Sequence, residues 1–132
     1  MDRVADILRD TKRIAVVGLS DKPARPSFGV AQFLIAKGYD VTGVNPALAG
    51  QTVLGRPVVA MLDQAGPLDM VDVFRASDQA GAVVDQAVAL GARTVWLQLG
   101  VVDDAAAARA EVAGVRVVMD RCPVIEWWRL GL

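Results

Sequence analysis

The sequence contains no histidine, the side chain that most often serves as a general base near neutral pH and as a zinc ligand. Ser-His-Asp, Cys-His and His-metal sites are therefore excluded. A single cysteine, Cys122, excludes an intramolecular disulfide and any CxxC metal knuckle and fits a reducing compartment. Neither sign of charge is in excess: 14 Lys and Arg stand against 15 Asp and Glu, for a net charge of -1. No global positive field is available to hold a nucleic acid or an anionic membrane, so any bound anion must be held locally. No basic start precedes a long apolar stretch, so neither a signal peptide nor a spanning helix is expected, and the location expected is cytoplasmic. The 132 residues, 54% of them hydrophobic, suit one compact domain over residues 1–132, with no room for a second.

Short, nearly continuous apolar runs recur at Ile14 to Val17, Val41 to Val44, Met70 to Phe74, Val95 to Leu99 and Val115 to Met119. Such Val-rich runs read as parallel strands buried on both sides. Between them lie helical patterns. From Ser77 to Gly91, the residues Ala80, Val83, Val84, Ala87 and Val88 recur with a one-faced helical period behind a Ser-Asp start. A second helix is expected from Ser27 to Lys37, stopped by Gly38. A third is expected over the Ala-rich stretch from Asp103 to Val112. Val4, Ala5, Ile7 and Leu8 imply a short helix at the sheet edge. Residues 46–67 read as a loop with an extended piece at Thr52 to Leu54 and a helical turn near Val59 to Leu62. The pattern as a whole predicts a Rossmann-like, doubly wound, open parallel α/β sheet of about five strands with helices on both faces.

In such a sheet ligands bind outside the carboxyl ends of the strands. The residues that follow the runs are Gly18 to Gly29 after the first, Asn45-Pro46 after the second, Arg75 after the third, Gln98 and Gly100 after the fourth, and Asp120-Arg121-Cys122 after the last. The first of these loops leads into a helix N-terminus, where unpaired N-H groups and a positive dipole end favour an anion. Ser27 is expected to cap that helix, with Gly29 letting a phosphate approach the backbone. Lys22 and Arg25 lie in the same loop, either as solvated charges or as local positive charge for phosphate. The G-x-G-x-x-G fingerprint and the acidic residue about 20 positions on are both missing. The second run ends in neutral Asn45, compatible with a ribose that carries a phosphate, although Asn45-Pro46 also reads as a simple turn. No G-x-x-x-x-G-K-[ST] loop is present.

The segments Ile14 to Ser20, Arg25 to Val30, Val44-Asn45-Pro46, Val71 to Arg75, Trp96 to Gly100 and Asp120 to Pro123 together resemble the small stand-alone CoA-binding proteins. These are related to the N-terminal CoA-binding domain of the succinyl-CoA synthetase alpha subunit. The resemblance runs from Ile14 to Leu130. It implies a Rossmann-like sheet with coenzyme A, free or acylated, lying across the strand ends. Gly18, Leu19 and Ser20 would line the adenosine diphosphate, Arg25 and Ser27, beside Phe28, would meet phosphates, and Asn45 with Pro46 would border the nucleotide. Phe74 and Arg75 would wall the cleft, with Gln98 and Gly100 under the pantetheine arm. The synthetase's second domain, with its phosphorylated His, has no counterpart in this chain.

Cys122 falls on the expected ligand edge, either as a small buried hydrophobe or as a thiol able to form a mixed disulfide with CoA. Asp72 lies inside a buried strand and should have donors nearby or mark a solvent-facing pocket. Trp127 and Trp128 are expected to cap the core, with a subunit contact as the alternative. The leading functional expectation is a non-catalytic CoA-binding module, with no nucleic acid or membrane partner. The alternatives are a subunit completing an acyl-CoA ligase or transferase with another chain, and an NAD(P)-binding sensor or oxidoreductase on the same fold. A homodimer is compatible with either.

Overall fold

The computed structural model describes residues 3–132. Residues 1 and 2 of the expected domain span lie outside the described residues. The chain runs α1 (Arg3–Asp10), β1 (Arg13–Val17), α2 (Pro26–Ala36), β2 (Asp40–Val44), β3 (Thr52–Val53), β4 (Arg56–Val59), β5 (Met70–Val73), α3 (Ser77–Ala89), β6 (Thr94–Leu97), α4 (Asp104–Val112), β7 (Arg116–Val118) and α5 (Pro123–Arg129). Single 3-10 turns occupy Pro46–Leu48 and Leu62–Ala65.

The sheet order is β3-β4-β2-β1-β5-β6-β7. All pairings are parallel except β3 with β4. Strand order therefore reverses between β1 and β5, and that switch point is where an open α/β sheet leaves a crevice. The fold class is as the sequence predicts, but the sheet has seven strands rather than about five. The extra pair is the hairpin of β3 and β4, closed through Leu54 at φ 55 and Gly55 at φ 74. The helical turn expected near Val59 to Leu62 is displaced, because Val59 pairs with Val44 as the end of β4 and the turn starts at Leu62.

Alternation along the strands divides the core in two. Ile14, Val16, Val41, Met70 and Trp96 face α1, α2 and α5, whereas Ala15, Val17, Val71, Val73, Val95 and Leu97 face α3 and α4. The inward face of α3 is Ala80, Val84 and Ala87, part of the face its period predicts. The first helix packs into the α2–α5 layer, and its end meets the edge strand through a bidentate pair in which Arg116 donates to Asp10 at 2.9 Å. Trp127 packs edge-on against Phe33 and Tyr39, while Trp128 remains 64% exposed. Among the described residues no helix is long and apolar enough to cross a membrane.

Asp72 departs from its expected setting. Its carboxylate is wholly buried from solvent, and among the described residues neither oxygen has a hydrogen-bond partner. The register places it between Val16 and Trp96 in the middle of the sheet. Burial pushes its pKa well above the ordinary value.

Candidate ligand groove at the strand ends

The crevice begins where β1 ends. Gly18 turns the chain at φ +90, and a Cβ there would lie 2.2 Å from the Phe74 carbonyl oxygen. Only glycine allows the ends of β1 and β5 to approach this closely. Two backbone bonds fix the turn: the Gly18 N-H donates to Val44 at 2.9 Å and the Phe74 N-H to Val17 at 2.8 Å. Leu19 then points into the core, filling the space left by Gly43, whose own Cβ would stand 2.4 Å from Leu19 Cδ2.

The loop from Ser20 to Arg25 is pinned to the start of α2. The Ser20 N-H donates to Ser27 Oγ at 2.9 Å, and the Lys22 N-H donates to Ser20 Oγ at 3.0 Å. Ser27 therefore does not cap the helix as the sequence suggested. The cap position is Arg25, in extended geometry and without a side-chain bond, followed by Pro26 in the first turn. The serine hydroxyl is diverted because the preceding loop folds back over the first turn and brings the Ser20 N-H to it.

Residues of this loop, of Phe74 to Ala76 after β5, and of Gln98 to Val101 after β6 enclose a groove of about 470 Å³. Gly18, Ser20, Lys22, Arg25, Ser27, Phe74, Arg75 and Gln98 all line it. Three of them are cationic, none is acidic, and among the described residues none of the three cations is paired with a carboxylate. The groove is thus a locally positive site on a chain with no net positive charge.

A second groove, of about 620 Å³, adjoins it between α2, α5 and the end of β6. Pro26, Gln98 and Leu99 line both. The walls of the second are mainly apolar: Val30, Phe33 and Ala36 on one side, Val124 and Ile125 on the other, with Gly29 and Cys122 beside them. Gln98 is 6% exposed, and among the described residues its amide oxygen has no hydrogen-bond partner. The far wall is held to the sheet by the Trp96 indole, which donates to the Arg121 carbonyl at 2.8 Å.

Not every anticipated residue reaches the grooves. Leu19 and Phe28 pack into the core. Gly100 forms the adjoining turn, its N-H donating to Asp120 Oδ1 at 2.7 Å. Asn45 and Pro46 line neither groove; the Asn45 amide donates to the Leu19 carbonyl at 2.8 Å and accepts from the Ala47 N-H at 2.9 Å. Conversely, Leu99, Phe33, Val124 and Ile125 were not singled out in the sequence, because each belongs to an apolar pattern that reads as core. A further cleft of about 720 Å³ lies at the opposite, amino-terminal end of the strands. There the Lys37 ammonium sits 5.1 to 5.3 Å from the Phe33, Trp127 and Trp128 rings. Among the described residues no group of His, Cys, Asp and Glu is arranged to hold a metal ion.

The family model for the CoA binding domain matches residues 12–128. The protein belongs to the CoA binding domain family. An uncharacterized protein of Bacillus subtilis (strain 168), YneT, is 38% identical over 120 residues, covering 90% of this chain and 87% of its own. Among solved structures, a protein of Thermus thermophilus, cell-free ID.343, superposes with a TM-score of 0.91 at 35% identity, covering 98% of this chain and 99% of its own. The dinucleotide forming acetyl-coenzyme A synthetase 1 of Ca. Korarchaeum cryptofilum shares the fold at TM-score 0.69 and 20% identity, over 83% of this chain and 26% of its own. The matched span holds all seven strands, α2 to α4 and most of α5, and every residue that lines the two grooves falls within it.

Proposed function

We propose that this chain is a non-catalytic module that binds coenzyme A or an acyl-CoA along the two joined grooves. The observation that carries this reading is their adjacency: a basic compartment and an apolar one share Pro26, Gln98 and Leu99 in their walls. Coenzyme A has the matching polarity, with phosphates at one end, an arm with two amides in the middle and a thiol or thioester at the other. In this reading Lys22 and Arg25, with the first turn of α2, hold phosphate by charge and by backbone dipole. Phe74 and Arg75 wall the nucleotide half, and Gln98 accepts from an arm amide. Asn45 acts at one remove, by fixing the Leu19 carbonyl and with it the phosphate loop. No histidine is present in the sequence to take the part of a general base, which favours a carrier or sensor over an enzyme.

Calorimetric titration of ligand-stripped protein with CoA, dephospho-CoA, NAD and NADP tests the reading. CoA should bind best, and Arg25→Ala should weaken it about tenfold, the equivalent of about 1.4 kcal/mol. Raising the salt concentration should weaken CoA binding to the parent protein more than to this variant. Tighter binding of a nicotinamide cofactor, or no binding at all, overturns the proposal.

A further inference from the structure

The joined grooves bring Gln98 and Cys122 to one site. Both line the apolar groove, and Gln98 also lines the basic one. Gln98 is more than nine-tenths buried, yet among the described residues its amide oxygen has no donor. A buried acceptor left without a donor costs about 1–3 kcal/mol, and the amide turns about its last bond, so a ligand N-H entering the groove can satisfy it. An arm bearing an amide that reaches Gln98 from the phosphate side has its continuation in the apolar groove. Cys122 stands in the wall of that groove and is half-buried, and no other cysteine is present in the chain to compete for it.

We infer that Cys122 is a thiol-disulfide exchange site for the disulfide form of coenzyme A, with the bound arm held at Gln98 and its sulfur delivered to Cys122 Sγ. The inference rests on the CoA-binding reading above. The Cys122 thiol gives up its proton to solvent, and the thiolate attacks the nearer sulfur of the bound disulfide. The Sγ–S bond forms as the S–S bond of the ligand breaks, and the second CoA half leaves as a thiolate that takes up a proton. Cys122 is oxidised and the departing half is reduced, so no other oxidant is consumed. A low-molecular-weight thiol reverses the step by the same chemistry. The module would thereby hold CoA covalently when CoA disulfide is abundant and release it when thiols are.

The test follows intact mass over time for the reduced, full-length protein with CoA disulfide and, separately, with glutathione disulfide. The expected result is one CoA adduct per chain, formed at least about tenfold faster than the glutathione adduct because binding places the reacting sulfurs together. Desulfo-CoA, which lacks the sulfur, should slow the CoA reaction. Gln98→Leu should slow it as well while leaving the glutathione rate unchanged. Equal rates with the two disulfides, or no CoA adduct, overturn the exchange site. If calorimetry then still shows CoA binding, the functional proposal stands alone; if CoA does not bind, both fall.

Discussion

The side-chain amide of Asn45 donates a 2.8 Å hydrogen bond to the carbonyl of Leu19, tying the end of β2 to the turn that follows β1. The same side chain accepts from the Ala47 N-H, so one residue stabilises both its own turn and its neighbour's. Asn45→Asp keeps the acceptor but replaces the donor with an oxygen facing a carbonyl. A loss of about 1–3 kcal/mol is expected, together with weaker CoA binding as the phosphate loop loosens. Urea denaturation and calorimetry check the two effects, and an unchanged urea midpoint would mean that the bond carries no stability.

Gly18 and Gly29 stand eleven positions apart in the loop and helix that form the basic groove, and the structure separates their roles. Gly18→Ala puts a methyl 2.2 Å from a backbone oxygen at φ +90, a strain that cannot relax without parting β1 from β5. Roughly 2–4 kcal/mol of destabilisation is expected. At Gly29 nothing lies within 4 Å of an added Cβ and φ is ordinary. Gly29→Ala should therefore stabilise α2 by about 0.5–1 kcal/mol. Its methyl nevertheless projects where the apolar groove begins, so CoA affinity should fall. Thermal unfolding and calorimetry on the same sample distinguish a gain in stability from a loss of binding. A variant that gains both would remove Gly29 from the binding surface.

The parallel strands and the helices were legible in the sequence because each carries a pattern set by burial alone: Ile14 to Val17 and Val95 to Leu97 are apolar on both faces since both faces are covered. The hairpin was not. Its β3 has two residues and its β4 contains Pro57, which removes a ladder donor and reads as a loop. The basic groove was legible since loop glycine, cations and a helix start fall together after β1. The apolar groove was hidden because Phe33 and Ile125 satisfy the pattern of core residues and differ from it only in lying between two helices that leave a gap. The hydroxyl of Ser27 was assigned to its own helix by local preference, and the structure gives it to Ser20 through a contact seven residues away.

Asp72 makes the protein's stability depend on pH in an unusual sense. Burial raises its pKa above the ordinary 3.8, so the folded state holds a proton that the unfolded state releases above that value. The sign follows from linkage: the group's contribution is intact below the unfolded pKa and is lost as pH rises toward the folded one. Asp72→Val fits a buried strand and removes the ionisable group. Its stability advantage over the parent should widen by about 1.4 kcal/mol for each pH unit above the ordinary carboxyl value until the folded pKa is reached. Denaturation midpoints for both proteins between pH 4 and pH 8 check this, and a constant difference would show that Asp72 is ionised in the folded state.

Glu126 supplies the opposite slope. It is 4% exposed in α5 and accepts from Arg121 Nη1 at 2.6 Å and from Arg129 Nε at 2.9 Å. The Arg129 hydrogen bond, aided by Arg121 and opposed by burial, holds its pKa below the ordinary 4.5. Here the stabilisation is present above the unfolded value and disappears as pH falls through the folded one. Glu126→Gln keeps the shape but gives up the charge, and about 1–3 kcal/mol should be lost at neutral pH. The gap between parent and variant should close on acidification, as pH falls below the ordinary 4.5 and through the lowered folded value. Because α5 carries Val124 and Ile125 to the apolar groove, the same substitution should weaken CoA binding at neutral pH. A variant with the parent's neutral stability would show that the two arginines hold α5 no better than a neutral amide does.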